Sequence, residues 1–247
     1  MENTNRSAGE ELAAKLLEEP KNAGLIMSDE EIAAADGFCE DYKKFLNAAK
    51  TEREASAEAI KRAKAAGFTE YDPAADYKAG DKFYFCNREK SVILTVMGKK
   101  PLAEGIRLAA AHIDSPRLDL KQHPLYEDRE LALFKTHYYG GIKKYQWTTI
   151  PMSLHGVIVK ANGEKVSVAI GEDECDPVFC VTDLLIHLAS EQMKRTLAEG
   201  VKGEELNLLI GSRPFKDDKV SKKVKLNIMS ILNEKYGITE HEFVSAD

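Results

Sequence analysis

An α/β fold is predicted by three features of the sequence. Two capped, amphipathic helical segments lie near the start, a small apolar run without alternation spans Leu108 to Ala111, and apolar and polar residues alternate through the middle of the chain. The first helix begins at Ser28-Asp29-Glu30-Glu31, where a carboxylate follows a capping hydroxyl by three residues and acidic groups suit the helix dipole. Ile32, Phe38, Tyr42 and Phe45 then recur at helical spacing until about Lys50, which predicts one face buried against a core. Thr51-Glu52-Arg53-Glu54 repeats the cap and opens a second helix ending near Gly67.

Residues 81–89 and 91–97 are rich in β-branched and aromatic side chains and read as a hairpin. Residues 106–113 are a third strand candidate, small and apolar enough to be buried on both faces of a mixed sheet. After Pro116 the pattern changes. Residues 117–121 and 131–139 alternate, while 154–160 and 165–170 flank Asn162-Gly163, a strong hairpin turn. Thr182 is read as the cap of a helix over 183–198 with Gly200 beyond it. Residues 206–210 follow as a strand, and 217–236 as an amphipathic helix closed by Gly237. A domain boundary is placed near residues 116–120.

Composition narrows the function classes. With 247 residues and 43% hydrophobic side chains the chain can build an ordinary core. Its 35 Lys and Arg against 41 Asp and Glu give a net charge of −6, without the basic footprint that nucleic acid requires, so no nucleic-acid partner is expected. Cys39, Cys86, Cys175 and Cys180 form no Cys-x-x-Cys pair and read as reduced, mostly structural thiols. The N-terminus has no basic stretch leading into an apolar core, and no apolar run approaches a spanning helix. A cytoplasmic protein without membrane association is expected. Glu172-Asp173-Glu174-Cys175-Asp176 reads as a solvated acidic turn, and Glu204-Glu205 as solvated surface.

The polar cluster His112-Ile113-Asp114 closes the third strand candidate. Two residues apart on a regular strand, both side chains would point the same way, and the carboxyl ends of strands in open α/β sheets are where ligands bind. An imidazole and a carboxylate there suit a metal ligand and its orienting partner. On periodicity alone, a structural histidine hydrogen-bonded near a strand end is the simpler reading.

The surrounding residues go further. The segment running from Ala110-Ala111-His112-Ile113-Asp114-Ser115-Pro116 to Lys121 resembles the signature of the aspartyl-aminopeptidase family of co-catalytic zinc aminopeptidases. Thr136-His137-Tyr138-Tyr139-Gly140-Gly141, followed by Trp147, is similar to that family's tyrosine-glycine-glycine block. Asp176-Pro177-Val178-Phe179 and Leu184-Leu185-Ile186-His187-Leu188 resemble its next block. The resemblance implies a zinc-peptidase mixed α/β sheet domain over residues 1–117, present in part. It also implies an inserted dimerisation domain of antiparallel strands and helices over 118–247, the chain ending near the return to the catalytic domain.

It implies chemistry as well: two zinc ions sharing a bridging carboxylate and water, a metal-activated water attacking the scissile carbonyl, and a glutamate general base. His112 takes the role of a metal ligand, and Asp114 the role of the carboxylate that orients it. His187 takes the role of the histidine that reaches a neighbouring subunit's active site and supports the transition state. Peptide substrates and a homo-oligomer built through the inserted domain follow from the same resemblance. His137 is given no role.

The chain also departs from the family. The glycine run is Gly140-Gly141-Ile142 rather than three glycines, and Thr148-Thr149-Ile150-Pro151 stands where eukaryotic relatives carry Asp-Arg-Asp, which implies a bacterial-type subgroup and leaves the preferred N-terminal residue open. The Gly-x-Asp-Asp, Glu-Glu and late-histidine segments that complete the family's site have no counterpart here. The expectation is therefore an N-terminal portion that is inactive alone. The alternative is a truncated assembly module that pairs with full-length subunits and donates His187.

Overall fold

The computed structural model describes residues 7–246 and divides the chain into two compact units, Met1–Ala48 and Ala49–Asp247. The first unit carries helix α1 (Ala8–Leu16) and helix α2 (Asp29–Ala48). The predicted cap of α2 forms: Ser28 Oγ accepts from the Glu31 amide at 3.2 Å, and Glu31 accepts from the Ser28 amide at 2.8 Å. Its apolar side chains stack, Phe38 on Tyr42 at 6.4 Å and Tyr42 on Phe45 at 6.5 Å. The expected burial of this face is not found, because no residue of α2 is buried and Phe38 is 73% exposed.

In the second unit α3 (Glu52–Ala65) begins at the Thr51 capping box, as its sequence predicts. Strand β1 (Thr69–Glu70) pairs in parallel with β2 (Lys82–Asn87), and β2 forms an antiparallel hairpin with β3 (Ser91–Val96). The third strand candidate does not form. Residues 106–113 have no regular structure, and Ile106 and Leu108 are 69% and 78% exposed. A strand buried on both faces needs a hydrogen-bonded neighbour and a covering layer, and none of the described strands pairs with this segment.

The rest of the unit is built on antiparallel pairing. Strand β4 (Arg117–Asp128) runs against β5 (Leu131–Tyr139), with Arg117 opposite Tyr139 and Asp128 opposite Leu131. The register shifts between Leu120 and Leu125, where Pro124 cannot donate to the ladder and His123 adopts a φ of 50°. Strands β6 (Leu154–Val159) and β7 (Lys165–Ile170) form the hairpin predicted at Asn162-Gly163, with Gly163 at a φ of 84°. Two short strands, β8 (Cys180–Val181) and β9 (Leu208–Gly211), complete a four-stranded sheet in the order β4-β5-β9-β8. Helix α4 (Lys223–Tyr236) ends at Gly237, whose φ of 65° makes the left-handed cap. It starts later than predicted, because the backbone turns through a left-handed Lys222. The architecture is thus mixed α/β with several small sheets.

Among the described residues a buried cluster joins β4 to β9 and α4, with Leu206, Ala132, Val181, Val224 and Ile238 each 1% exposed or less. Phe134 meets Phe243 edge-on at 5.7 Å, and the buried Thr136 hydroxyl donates to the Leu206 carbonyl. The helix predicted over 183–198 is absent. Only two short 3-10 turns form, Ile186–Leu188 and Gln192–Lys194. Leu184, Leu185, Ile186, Leu188, Met193 and Leu197 are all more than half exposed, so the segment lacks the packed face that stabilises most helices. Among the described residues no helix is long and apolar enough to cross a membrane.

The β4–β5 turn places Arg129 and Glu130 at φ values of 47° and 61°, a conformation that costs a side-chain-bearing residue about 1 kcal/mol. Replacing the pair by Asn-Gly should raise the urea unfolding midpoint, with a gain of about 1 kcal/mol over the two positions.

Candidate active site around His112

The segment that carries His112 is irregular, yet its polar end is fixed. His112 Nδ1 lies 3.0 Å from the Asp114 carbonyl oxygen and 3.1 Å from Asp114 Oδ1. Both neighbours can only accept, so Nδ1 carries the proton, and in the neutral ring Nε2 keeps its lone pair. The side chain is 83% exposed, which leaves that nitrogen open to a ligand. The predicted pair is therefore brought together, by a hydrogen bond instead of a common strand face.

Asp114 is held from its other oxygen. The Tyr139 hydroxyl donates to Asp114 Oδ2 at 2.8 Å. This bond is the first cause of a carboxyl pKa below the ordinary aspartate value, followed by the residue's own amide and His112. The same contact raises the Tyr139 hydroxyl. The Arg117 guanidinium lies 4.1 Å from the centre of the Tyr139 ring. It is anchored in turn by Asp119 at 2.6 Å and Glu52 at 3.0 Å. Gly140, at a φ of 80°, turns the chain out of β5 beside Pro116.

His187 lies apart from this pair in sequence, in the exposed 3-10 turn Ile186–Leu188. Among the described residues no group of three or more His, Cys, Asp or Glu side chains could hold a metal ion. A catalytic zinc takes three protein ligands. The described residues therefore fit zinc as far as one oriented imidazole and do not make a site by themselves.

A second polar constellation was not legible in the sequence. His155 on β6, with a side chain 10% exposed, lies 2.8 Å from Glu54 Oε1 through Nδ1 and 2.9 Å from Glu172 Oε1 through Nε2. Ser153 Oγ donates to the same Glu172 oxygen at 2.7 Å. Glu54 serves both this ring and the α3 cap, where it accepts from the Thr51 amide at 3.0 Å. The acidic turn expected to be solvated thus supplies a structural carboxylate. Asp176 of the same turn accepts from the Gly171 amide at 2.8 Å. His155 lines a cavity of about 940 Å³, whose charged wall is largely self-paired: Glu89 binds both Arg53 and Lys165 at 2.7 Å. His112, Asp114 and His187 do not line it, so this cavity is separate from the predicted chemistry. Glu204, of the pair read as solvated surface, is 80% exposed but reaches Lys121 at 2.6 Å. All four cysteines are free, and Cys39 and Cys175 are exposed.

The family described as aminopeptidase I zinc metalloprotease (M18) matches residues 45–247. A probable M18 family aminopeptidase 1 of Clostridium acetobutylicum is 51% identical over 236 residues, covering 94% of this chain and 51% of its own length. The crystal structure of an M18 aminopeptidase from Thermotoga maritima aligns with a TM-score of 0.86 at 42% identity, over 93% of this chain and 49% of that one. A more distant likeness, to an mApe1 dodecamer of yeast at a TM-score of 0.55 and 16% identity, is one of fold alone. The chain spans about half the length of the curated relatives it matches.

Glu172 provides a test of the second constellation. The Ser153 hydroxyl and then His155 hold its carboxyl below the ordinary value of 4.5. A depressed folded value means stability fully present above 4.5 and lost as pH falls through the lower folded value. Glu172→Gln should therefore lower stability at neutral pH and flatten the acid limb of a stability-versus-pH curve below 4.5, read by chemical denaturation at a series of pH values.

Proposed function

This chain belongs to the aminopeptidase I zinc metalloprotease (M18) family, and from that premise we propose that it forms part of an aminopeptidase acting on peptide substrates. In this reading His112 is one metal ligand, Asp114 the carboxylate that orients it, and His187 a residue offered to a neighbouring subunit's site. The single observation that carries it is the His112–Asp114 pair, with Nδ1 engaged and Nε2 exposed. A ligating histidine needs its second nitrogen occupied in this way, because that bond sets the tautomer and the direction of the free lone pair.

Zinc, two ions to a site, is the cofactor of the proposal. Because the described residues supply one such ligand, the 247-residue chain is proposed to be inactive by itself. Residues 1–117 are read as part of the catalytic domain and 118–247 as the inserted dimerisation domain. The antiparallel pairing of β4 with β5, β5 with β9, β6 with β7 and β8 with β9 agrees with the β-rich character expected of the second part. A homo-oligomer is favoured by the setting of His187, among Leu185, Ile186 and Leu188, which are 72%, 67% and 70% exposed. Apolar side chains at that density are more often covered than left in water. A cytoplasmic location, with neither nucleic acid nor membrane as partner, belongs to the same reading and suits the net charge of −6.

The test is complementation. Mixed with a polypeptide matching the remaining half of the Clostridium relative, this chain should release N-terminal residues from peptides only with zinc present, and His112→Ala should abolish the activity. Full activity in that variant would refute the ligand assignment. Where activity is obtained, mixing His187→Ala assemblies with His112→Ala assemblies should restore part of it, since one intact site of each kind can then form across an interface. Absence of rescue would remove His187 from the site.

A further inference from the structure

We propose that Tyr139 is a positioning residue for His112, acting through Asp114: its hydroxyl holds the carboxylate in the orientation that fixes the imidazole. The proposal rests on His112 being the functional imidazole of the preceding reading. Both oxygens of Asp114 are used, Oδ1 by His112 Nδ1 at 3.1 Å and Oδ2 by the Tyr139 hydroxyl at 2.8 Å. A carboxylate held at one oxygen can still turn about its side-chain bonds. Held at both, it presents Oδ1 in one direction.

The holding group is itself rigid. Tyr139 is the last residue of β5 and pairs in register with Arg117, the first residue of β4. The Arg117 guanidinium covers one face of the Tyr139 ring, and Glu52 at the start of α3 and Asp119 on β4 hold that guanidinium. A connected series thus runs from α3 through Arg117, Tyr139 and Asp114 to His112. This matters because His112 and Asp114 lie in a stretch without secondary structure of its own. An anchor outside that stretch adds to the order of the imidazole, and Tyr139 supplies one through its bond to Asp114. The Asp114 carbonyl at 3.0 Å competes for the same His112 proton. The proposal therefore requires that the carboxylate, not the carbonyl, decides the tautomer.

The test reads the ring directly. Long-range proton–nitrogen correlation spectra of the 247-residue chain, recorded about two units above the ordinary histidine pKa near 6.5, report which nitrogen of each neutral imidazole bears the proton. The His112 signal is identified by its loss in His112→Ala. In the unaltered chain it should show predominantly Nδ1–H. Tyr139→Phe, which removes one hydroxyl and keeps the ring under Arg117, should shift it toward the mixture of an unrestrained histidine, and Asp114→Ala should do the same. Unchanged far-ultraviolet circular dichroism establishes that the variants fold. An unshifted tautomer in folded Tyr139→Phe overturns the proposal. A shift in Tyr139→Phe without one in Asp114→Ala also overturns it, because Tyr139 would then not act through the carboxylate. Neither readout needs metal or turnover, so a failure of complementation is distinguishable from a failure here.

Discussion

The pairing of β4 with β5, and above all the facing of Arg117 and Tyr139 at its open end, is the constraint on which the rest of the second unit depends. One end of the ladder is a two-residue turn at Arg129-Glu130, and its middle carries Leu125 and Phe134 into the buried cluster. The far edge of β5 receives β9, which places Leu208 beside Phe134 and brings β8 into the same sheet. At the open end Arg117 ties the sheet to Glu52 of α3, while Tyr139 ties it to Asp114. Side chains that the pleat sets opposite one another therefore connect a helix, a sheet and an irregular segment. Their contacts are polar and partly solvated, so their value lies in direction more than in energy.

Local chemistry made much of this fold legible. The Ser28 and Thr51 caps, the Asn162-Gly163 turn and the closure of α4 at Gly237 each depend on residues within four positions of one another, and each formed as read. The failures share a cause. Leu108-Ala109-Ala110-Ala111 predicts a doubly buried strand only if other segments supply edges and layers, and Leu184-Leu185-Ile186 predicts a helix only if a surface receives its face. Apolarity declares a requirement for burial without naming what meets it. In the described residues those side chains remain exposed, and backbone propensity alone does not hold either element.

The candidate site was legible to a similar depth. His112 and Asp114 stand two apart in one segment, and the structure joins them through a bond that the spacing allowed. Tyr139 was visible only as one letter of a tyrosine-glycine-glycine block, since its action on Asp114 crosses 25 positions of sequence. His155 was hidden more completely. On an alternating strand it is one more polar residue, and its two carboxylates come from a helix cap and an acidic turn, each with a sufficient local explanation. Alternation places His155 on the face of Val157 and Val159, opposite the one that buries Ile158, so the pattern of β6 gave no signal of its role.

The two histidines show how the same side chain serves opposite ends. His155 has both ring nitrogens engaged by carboxylates or a hydroxyl and is nearly buried, so nothing remains to offer a ligand and its contribution is to join α3, β6 and the turn after β7. His112 has one nitrogen engaged and the other open. Sites assembled from several chain segments must order each contributing side chain, at a cost of about 1 kcal/mol for each one fixed, so a ligand already held in its working tautomer lowers what the remaining segments must supply. An exposed imidazole on a well-anchored carboxylate is therefore better suited to completing a shared site than to filling one alone. That asymmetry, more than the number of polar groups nearby, separates the histidine proposed as a ligand from the structural one.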